Sequence, residues 1–239
     1  MSLVAAAVCP HPPLLVPEVA GAAAPELDEL RAACDAAVAR LLAAGPDELV
    51  VVGAAPATAT FDASEHGSLH RYGVDLRVPL WRGDRSDEAR LPLSLTLGAW
   101  LLRRSGTALP RYAQAVAFGE AAAGCAALGA TLVDGGERRI ALLVMGDGSA
   151  CRGERAPGYD DPRAEPYDRG VARALATADV DALRNLDPGL STELKAAGRA
   201  PWQVLAGAVH AAGGHWRGEL THDAAPYGVA YLVASWEPA

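Results

Sequence analysis

Aromatic residues are scarce in this chain, at 5% of 239 residues against 51% hydrophobic residues in all, so its core has to be built from Ala, Val and Leu. Basic residues lack any pattern. Lys and Arg form no basic stripe and the formal net charge is −8, which argues against nucleic acid or an anionic membrane as the main partner. Cys9, Cys34, Cys125 and Cys151 form no CxxC pair, and their wide spacing fits free thiols in a reducing cytosol better than a disulfide frame. The first residues carry no basic region of a signal peptide, and Leu3–Val8 is too short for its apolar segment. No apolar run approaches the roughly 20 residues of a membrane span. A cytoplasmic, soluble protein is the expectation. Gly146-Asp147-Gly148-Ser149 lacks the glycine spacing and lysine of a P-loop, and no dinucleotide fingerprint occurs, which sets nucleotide binding aside. Internal repeats, low-complexity linkers and a domain boundary are absent too.

What is present alternates between strand and helix. Leu3–Cys9 is a continuous apolar run stopped by Pro10, and Glu48–Gly53 and Arg139–Met145 are further buried strands. A helix opens at Pro25 and runs to about Ala44, with Leu27, Leu30, Cys34, Val38 and Leu41 on one stripe; Gly45 and Pro46 end it. Ala54–Tyr72 reads as a polar loop and Val74–Val78 as a short strand. Leu93–Arg104 and Glu120–Val133 read as helices, the second a small-residue helix packed on the sheet, with a strand at Tyr112–Phe118 between them. Helices are expected over Tyr167–Ala176, Val180–Leu186, Ser191–Ala197 and Pro201–Ala212. Strands near His215–Leu220 and Tyr227–Trp236, joined by a turn at Thr221–Pro226, finish the chain. This pattern predicts one α/β domain with a mostly parallel central sheet, helices on both faces and an antiparallel strand pair near the C-terminus.

Ligands of open α/β sheets bind outside the carboxyl ends of the strands. His11 stands just there, between prolines that fix φ on both sides, where an imidazole can hold a metal or act as a base. The plainer reading is a surface histidine in a proline run that ends a strand. Asp147 likewise follows a buried strand and lies between two glycines, either reaching a ligand or closing an Asx-turn. With its partner needs in mind, its carboxylate is expected in the same cleft as His11, paired with His11, Arg152 or a cation.

Three stretches resemble one family. Pro10-His11-Pro12 after the first strand, Met145-Gly146-Asp147-Gly148-Ser149 with the APGYDDPRAEPYD that follows it, and the closing Pro226-Tyr227-Gly228-Val229-Ala230-Tyr231 are similar to the class III extradiol ring-cleavage dioxygenases, catalytic-subunit fold, including the Memo-like branch. The resemblance implies an α/β fold with a non-haem iron(II) site at the strand ends. There, two histidines and a late carboxylate hold the metal on one face, and a further histidine moves protons. His11 matches the first ligand. The second histidine would fall within Gly53-Ala54-Ala55-Pro56 and the acid/base histidine near Ala150, where this chain has no such side chain. Asp147 matches the family's aspartate; Glu219, His222 and Asp223 lie in the region of the late ligand.

Two functions stay open on these grounds. One is an oxidoreductase-like metalloenzyme acting on a small aromatic or related substrate, with His11, Asp147 and His222 holding Fe(II) or Zn(II), Glu219 as an alternative oxygen donor, and Asp147 and Ser149 as catalytic candidates. The other is a non-catalytic relative, without metal, that binds a small molecule or a protein partner in the same cleft. Redox chemistry at Cys151, beside Arg152 and Arg155, is a third reading, although no base adjoins it in sequence. His66 and His70 could replace a missing ligand, but the glycines around them favour a solvated loop; His210 and His215 read as structural. The aliphatic strand Tyr227–Trp236 is expected at a sheet edge, where it could pair across a homodimer.

Overall fold

A computed structural model of the chain describes residues 3–81, 88–134 and 136–239. Its strands are β1 (Leu3–Cys9), β2 (Glu48–Ala55), β3 (Ala59–Phe61), β4 (His66–Ser68), β5 (Arg77–Pro79), β6 (Arg111–Ala117), β7 (Ile140–Met145), β8 (Trp216–Ala224) and β9 (Tyr231–Pro238). The helices are α1 (Pro17–Ala20), α2 (Asp28–Ala43), α3 (Leu93–Arg104), α4 (Ala122–Leu132), α5 (Ala164–Thr177), α6 (Val180–Arg184), α7 (Pro188–Glu193) and α8 (Arg199–Ala212). Seven strands form one sheet in the order β3-β6-β2-β7-β1-β9-β8, and β4 pairs with β5 apart from it. The central run β6-β2-β7-β1 is parallel, while β3, β9 and β8 join antiparallel. This is the α/β architecture that the alternation of elements predicts.

The continuous apolar strands are explained by two cores, one on each face of the sheet. Val8, Val50, Val52, Leu142 and Val144 pack with Trp202 and Leu205 of α8 and with Val171 of α5. Ala7, Cys9, Leu49, Val51, Leu143 and Met145 face Cys34 and Val38 of α2 and Leu95 and Leu102 of α3. With few aromatics, close fit comes from small residues. Gly98 of α3 sits where a Cβ would meet Val51 at 2.4 Å, so the helix lies directly on β2.

Three expectations are corrected. The small-residue helix α4 packs chiefly on α8: a Cβ on Gly129 would meet the Val204 carbonyl at 2.0 Å, and one on Gly207 the Ala126 carbonyl at 2.4 Å. The segment 188–193, ahead of the predicted Ser191–Ala197, forms α7, because Pro188 opens it and Asp187 caps it by accepting from Leu190 N. Thr221-His222-Asp223 is no turn but the last part of β8. Thr221 and Asp223 lie on the exposed half of an edge strand whose half-buried side is Trp216, Gly218, Leu220, His222 and Ala224. The edge is therefore β8, and β9 lies inside between β1 and β8. A bulge between Leu220 and His222 and the exposed Arg217, Glu219 and Asp223 are features that discourage pairing of that edge with another chain.

Buried side-chain bonds tie the loops to this frame. Arg199, almost fully buried, donates to the carbonyls of Phe118 and Glu120 and to Gln203 Oε1, while Gln203 Nε2 donates to the carbonyls of Arg184 and Leu186. The backbone contact at Gly129 and Gly207 gives a test. An alanine at either position should gain about 1 kcal/mol of helix propensity but lose more to overpacking, so that Gly129→Ala and Gly207→Ala each lower unfolding stability by a net of about 1–2 kcal/mol. Urea denaturation measures this, and an unchanged or stabilised variant would contradict the contact.

Candidate functional site at the ends of two central strands

β1 and β7 are parallel neighbours that end level, Cys9 beside Met145, and the Gly146 N–H donates to the Cys9 carbonyl at 2.9 Å. Both chains leave the sheet at the same height, which brings Pro10-His11 and Gly146-Asp147 together. The His11 backbone N–H donates to Asp147 Oδ1 at 2.7 Å, and the His11 ring places Nδ1 3.6 Å from the same oxygen. That second distance is too long for a hydrogen bond, and the buried Nδ1 has no hydrogen-bond partner among the described residues. His11 is 7% exposed and Asp147 partly shielded. Of the partners expected for the carboxylate, His11 is the one the fold supplies.

The glycines flanking Asp147 serve packing. Neither adopts a positive φ; instead a Cβ on Gly146 would meet Gly198 Cα at 2.6 Å, and one on Gly148 would meet Ala230 Cβ and Asp168 Oδ1, each at 2.7 Å. Gly198 N–H in turn donates to the Asp147 carbonyl at 2.7 Å. Behind the pair lies a dry wall. Burial, then the charge of Asp147, holds the Tyr231 phenol well above its usual range. A hydrogen bond with Cys9, then burial, raises the Cys34 thiol, with Asp147 a smaller contributor. Tyr227 closes one side, its hydroxyl donating to Glu26 Oε2 at 2.8 Å.

The other expected site residues are not part of this pair. Ser149 is 0% exposed and locked onto Asp168, its N–H donating to Oδ1 at 2.8 Å and its hydroxyl to Oδ2 at 2.6 Å. That is a structural clamp, not a catalytic hydroxyl facing a cleft. His222 lies on β8 opposite Val233, separated from β7 by β1 and β9, or about 14 Å at ordinary strand spacing. Burial lowers its pKa, against the opposing charges of Asp223 and Glu29. Glu219 is exposed and ion-paired with Arg40. Among the described residues no group of three His, Cys, Asp or Glu side chains could hold a metal, so the expected His11, Asp147 and His222 set does not assemble. His66 is buried in β4 and His70 exposed in the turn after it. Cys151 is sealed, its thiol donating to the carbonyls of Gly158 and Leu194 at 3.3 and 3.4 Å and raised by burial, which is opposite to a reactive thiolate. Among the described residues a cavity of about 740 Å³ lies away from His11, at the amino end of the sheet, walled by Ala5, Ala6, Arg40, Ser235 and Trp236.

No family model and no curated protein matches the chain. Among solved structures it is similar to the crystal structure of the uncharacterized protein JW3007 from Escherichia coli K12, with a TM-score of 0.58 and 16% identity over 98% of this chain and 99% of that one. That likeness shows the fold alone. No helix among the described residues is long and apolar enough to cross a membrane.

Sequence reasoning found His11 and Asp147 but gave no site role to Asp168, Tyr231 or Cys34, although Asp168 and Tyr231 end two of the stretches that carry the resemblance and Cys34 lies on the apolar stripe of α2. Two outcomes test the geometry. Asp147→Ala strips the acceptor from a shielded N–H and should cost about 1–3 kcal/mol, whereas Asp147→Asn keeps an oxygen there and should cost less; equal losses in urea denaturation would contradict the bond. Asp168 tests the clamp through pH. Burial raises its pKa despite the two Ser149 donors, so its contribution to stability is full below the unfolded pKa and is lost as pH rises through the folded one. Ser149→Ala removes a donor to the charged form, raises that pKa further, and should therefore destabilise more at pH 7 than at pH 4. A loss independent of pH would contradict it.

Proposed function

We propose that this chain is a divergent relative of the class III extradiol dioxygenases that binds a small aromatic or related molecule at the His11–Asp147 pair without the family's three-ligand iron centre. The observation that carries the reading is the pair itself, a shielded imidazole and carboxylate held together at the ends of β1 and β7 by a 2.7 Å backbone bond, with no His, Cys, Asp or Glu placed to complete a metal site with them among the described residues. The residues present do not fit the family's iron. Ala54 and Ala55, at the end of β2 where the second histidine would fall, offer only methyl groups, and Asp147 Oδ1 is already taken by the His11 N–H. Such a pair suits recognition: the imidazole and carboxylate can exchange hydrogen bonds with a hydroxyl, and the Tyr231 and Cys9 wall keeps the rest of the site apolar.

A metalloenzyme with a rearranged site is the second reading, favoured by one observation. The buried Nδ1 of His11 lacks a partner and faces a carboxylate oxygen at 3.6 Å, an arrangement of N and O donors that Fe(II) or Zn(II) accepts. Metal content separates the two. Protein purified gently with either ion is expected to retain far less than one equivalent after dialysis, with His11→Ala no different, and to leave catechols uncleaved in dioxygen-uptake assays. Catechol itself should still shift the amide resonances of His11 and Asp147, an effect lost in His11→Ala. Equimolar metal that disappears in His11→Ala, or ring cleavage at enzymatic rates, would overturn the proposal in favour of the enzyme.

A further inference from the structure

A second site lies further along the same rim and owes nothing to the His11–Asp147 pair. A cavity of about 290 Å³ opens where Phe118, the residue after β6, faces the α7–α8 link and the first turn of α8; Thr192, Lys195, Ala196, Ala197 and Ala200 complete most of its wall. Its surface is mainly the Phe118 ring and alanine methyls. Phe118 is 52% exposed, unusual for a residue of its size in a chain so poor in aromatics. Tyr159, 83% exposed, stands beside this rim, since it follows Gly158, whose position packs against the Lys195 side chain.

The charge in this cavity is one-sided. Lys195, the only lysine of the sequence, lies on the rim and makes no ion pair among the described residues. The neighbouring Glu193 is paired with Arg163. Arg199, 2% exposed, lines the same cavity, and its bonds go to neutral acceptors, the carbonyls of Phe118 and Glu120 and the Gln203 amide. Burying a guanidinium without a counter-charge is costly. Lys195, without an ion pair among the described residues and beside an apolar chamber, leaves an anion as the missing partner. The volume admits a ligand of about ten non-hydrogen atoms, at the small end of ordinary ligand sites.

From this we infer that the Phe118–Lys195 cavity binds a small carboxylate with an apolar body, an aromatic or branched aliphatic acid, its carboxylate toward Lys195 and its hydrocarbon part against Phe118 and the alanines. The α7–α8 link beside the cavity is tied to the candidate site, because Gly198 N–H donates to the Asp147 carbonyl, but the ligand contacts proposed here involve neither His11 nor the Asp147 side chain.

Titration of the intact, isotope-labelled protein with benzoate, isovalerate and benzyl alcohol tests the site by amide chemical shifts. Benzoate or isovalerate should shift Phe118, Ala196 and Ala200 saturably, with benzyl alcohol much weaker. Lys195→Met, at an exposed position, should weaken carboxylate binding about tenfold, the size expected for losing a charge-assisted hydrogen bond. Phe118→Ala should weaken it as well, and His11→Ala should leave it as it is, whatever becomes of the other site. Absence of saturable shifts with both acids, equal affinity for benzyl alcohol, or an unchanged constant in Lys195→Met would overturn the inference.

Discussion

The level ending of β1 and β7 is the constraint on which the candidate site depends. Parallel pairing aligns Cys9 with Met145, and the Gly146 N–H continues the ladder one step past the strand ends by bonding the Cys9 carbonyl. Pro10 cannot donate, so the ladder stops and the next donor on that chain, the His11 N–H, turns to the Asp147 carboxylate. The pair is thus the end of a sheet ladder completed by a side chain. Its position follows from backbone hydrogen bonding, which is why two residues 136 apart in sequence meet without any motif that spans them.

The parts of the fold that could be read from the chain were those where one physical demand acts alone. Leu3–Cys9 has to be buried on both faces, and Leu93–Arg104 carries a complete helical stripe, and both stand as expected. Reading failed where two demands compete. Thr221–Asp223 has turn residues, but an edge strand can carry polar residues on its exposed face, and the alternation that puts Leu220, His222 and Ala224 on the inner side suffices. Pro25 reads as the start of the helix, yet the segment from Gly21 to Leu27 takes the tighter 3₁₀ form before α2 begins at Asp28.

Site residues divide the same way. His11 and Asp147 were legible because each sits at a strand end, a position sequence can identify. Ser149 was misread because the partner that engages it, Asp168, is on α5 and its approach depends on Gly148 having no side chain. Glycines around a carboxylate suggest a flexible, ligand-ready turn; here they mark where other elements press in. Gly146 admits Gly198 and Trp202, and Gly148 admits Ala230 and Asp168. The turn around Asp147 is held from both sides, which limits how far its carboxylate can move to meet a ligand and favours recognition by a preset geometry.

That rigidity bears on whether a third side chain could join the pair. A neighbouring carboxylate or histidine would have to swing in, but each candidate is committed elsewhere: Glu219 to Arg40, Asp168 to Ser149, His222 to a strand beyond β9. Release of Asp168 would strand the Ser149 N–H and hydroxyl in the core, and release of His222 would need β8 to leave the sheet. Both carry the penalty of unpaired buried polar groups. The strand-end pair is therefore held as one imidazole and one carboxylate, with neither Glu219, Asp168 nor His222 placed to join it.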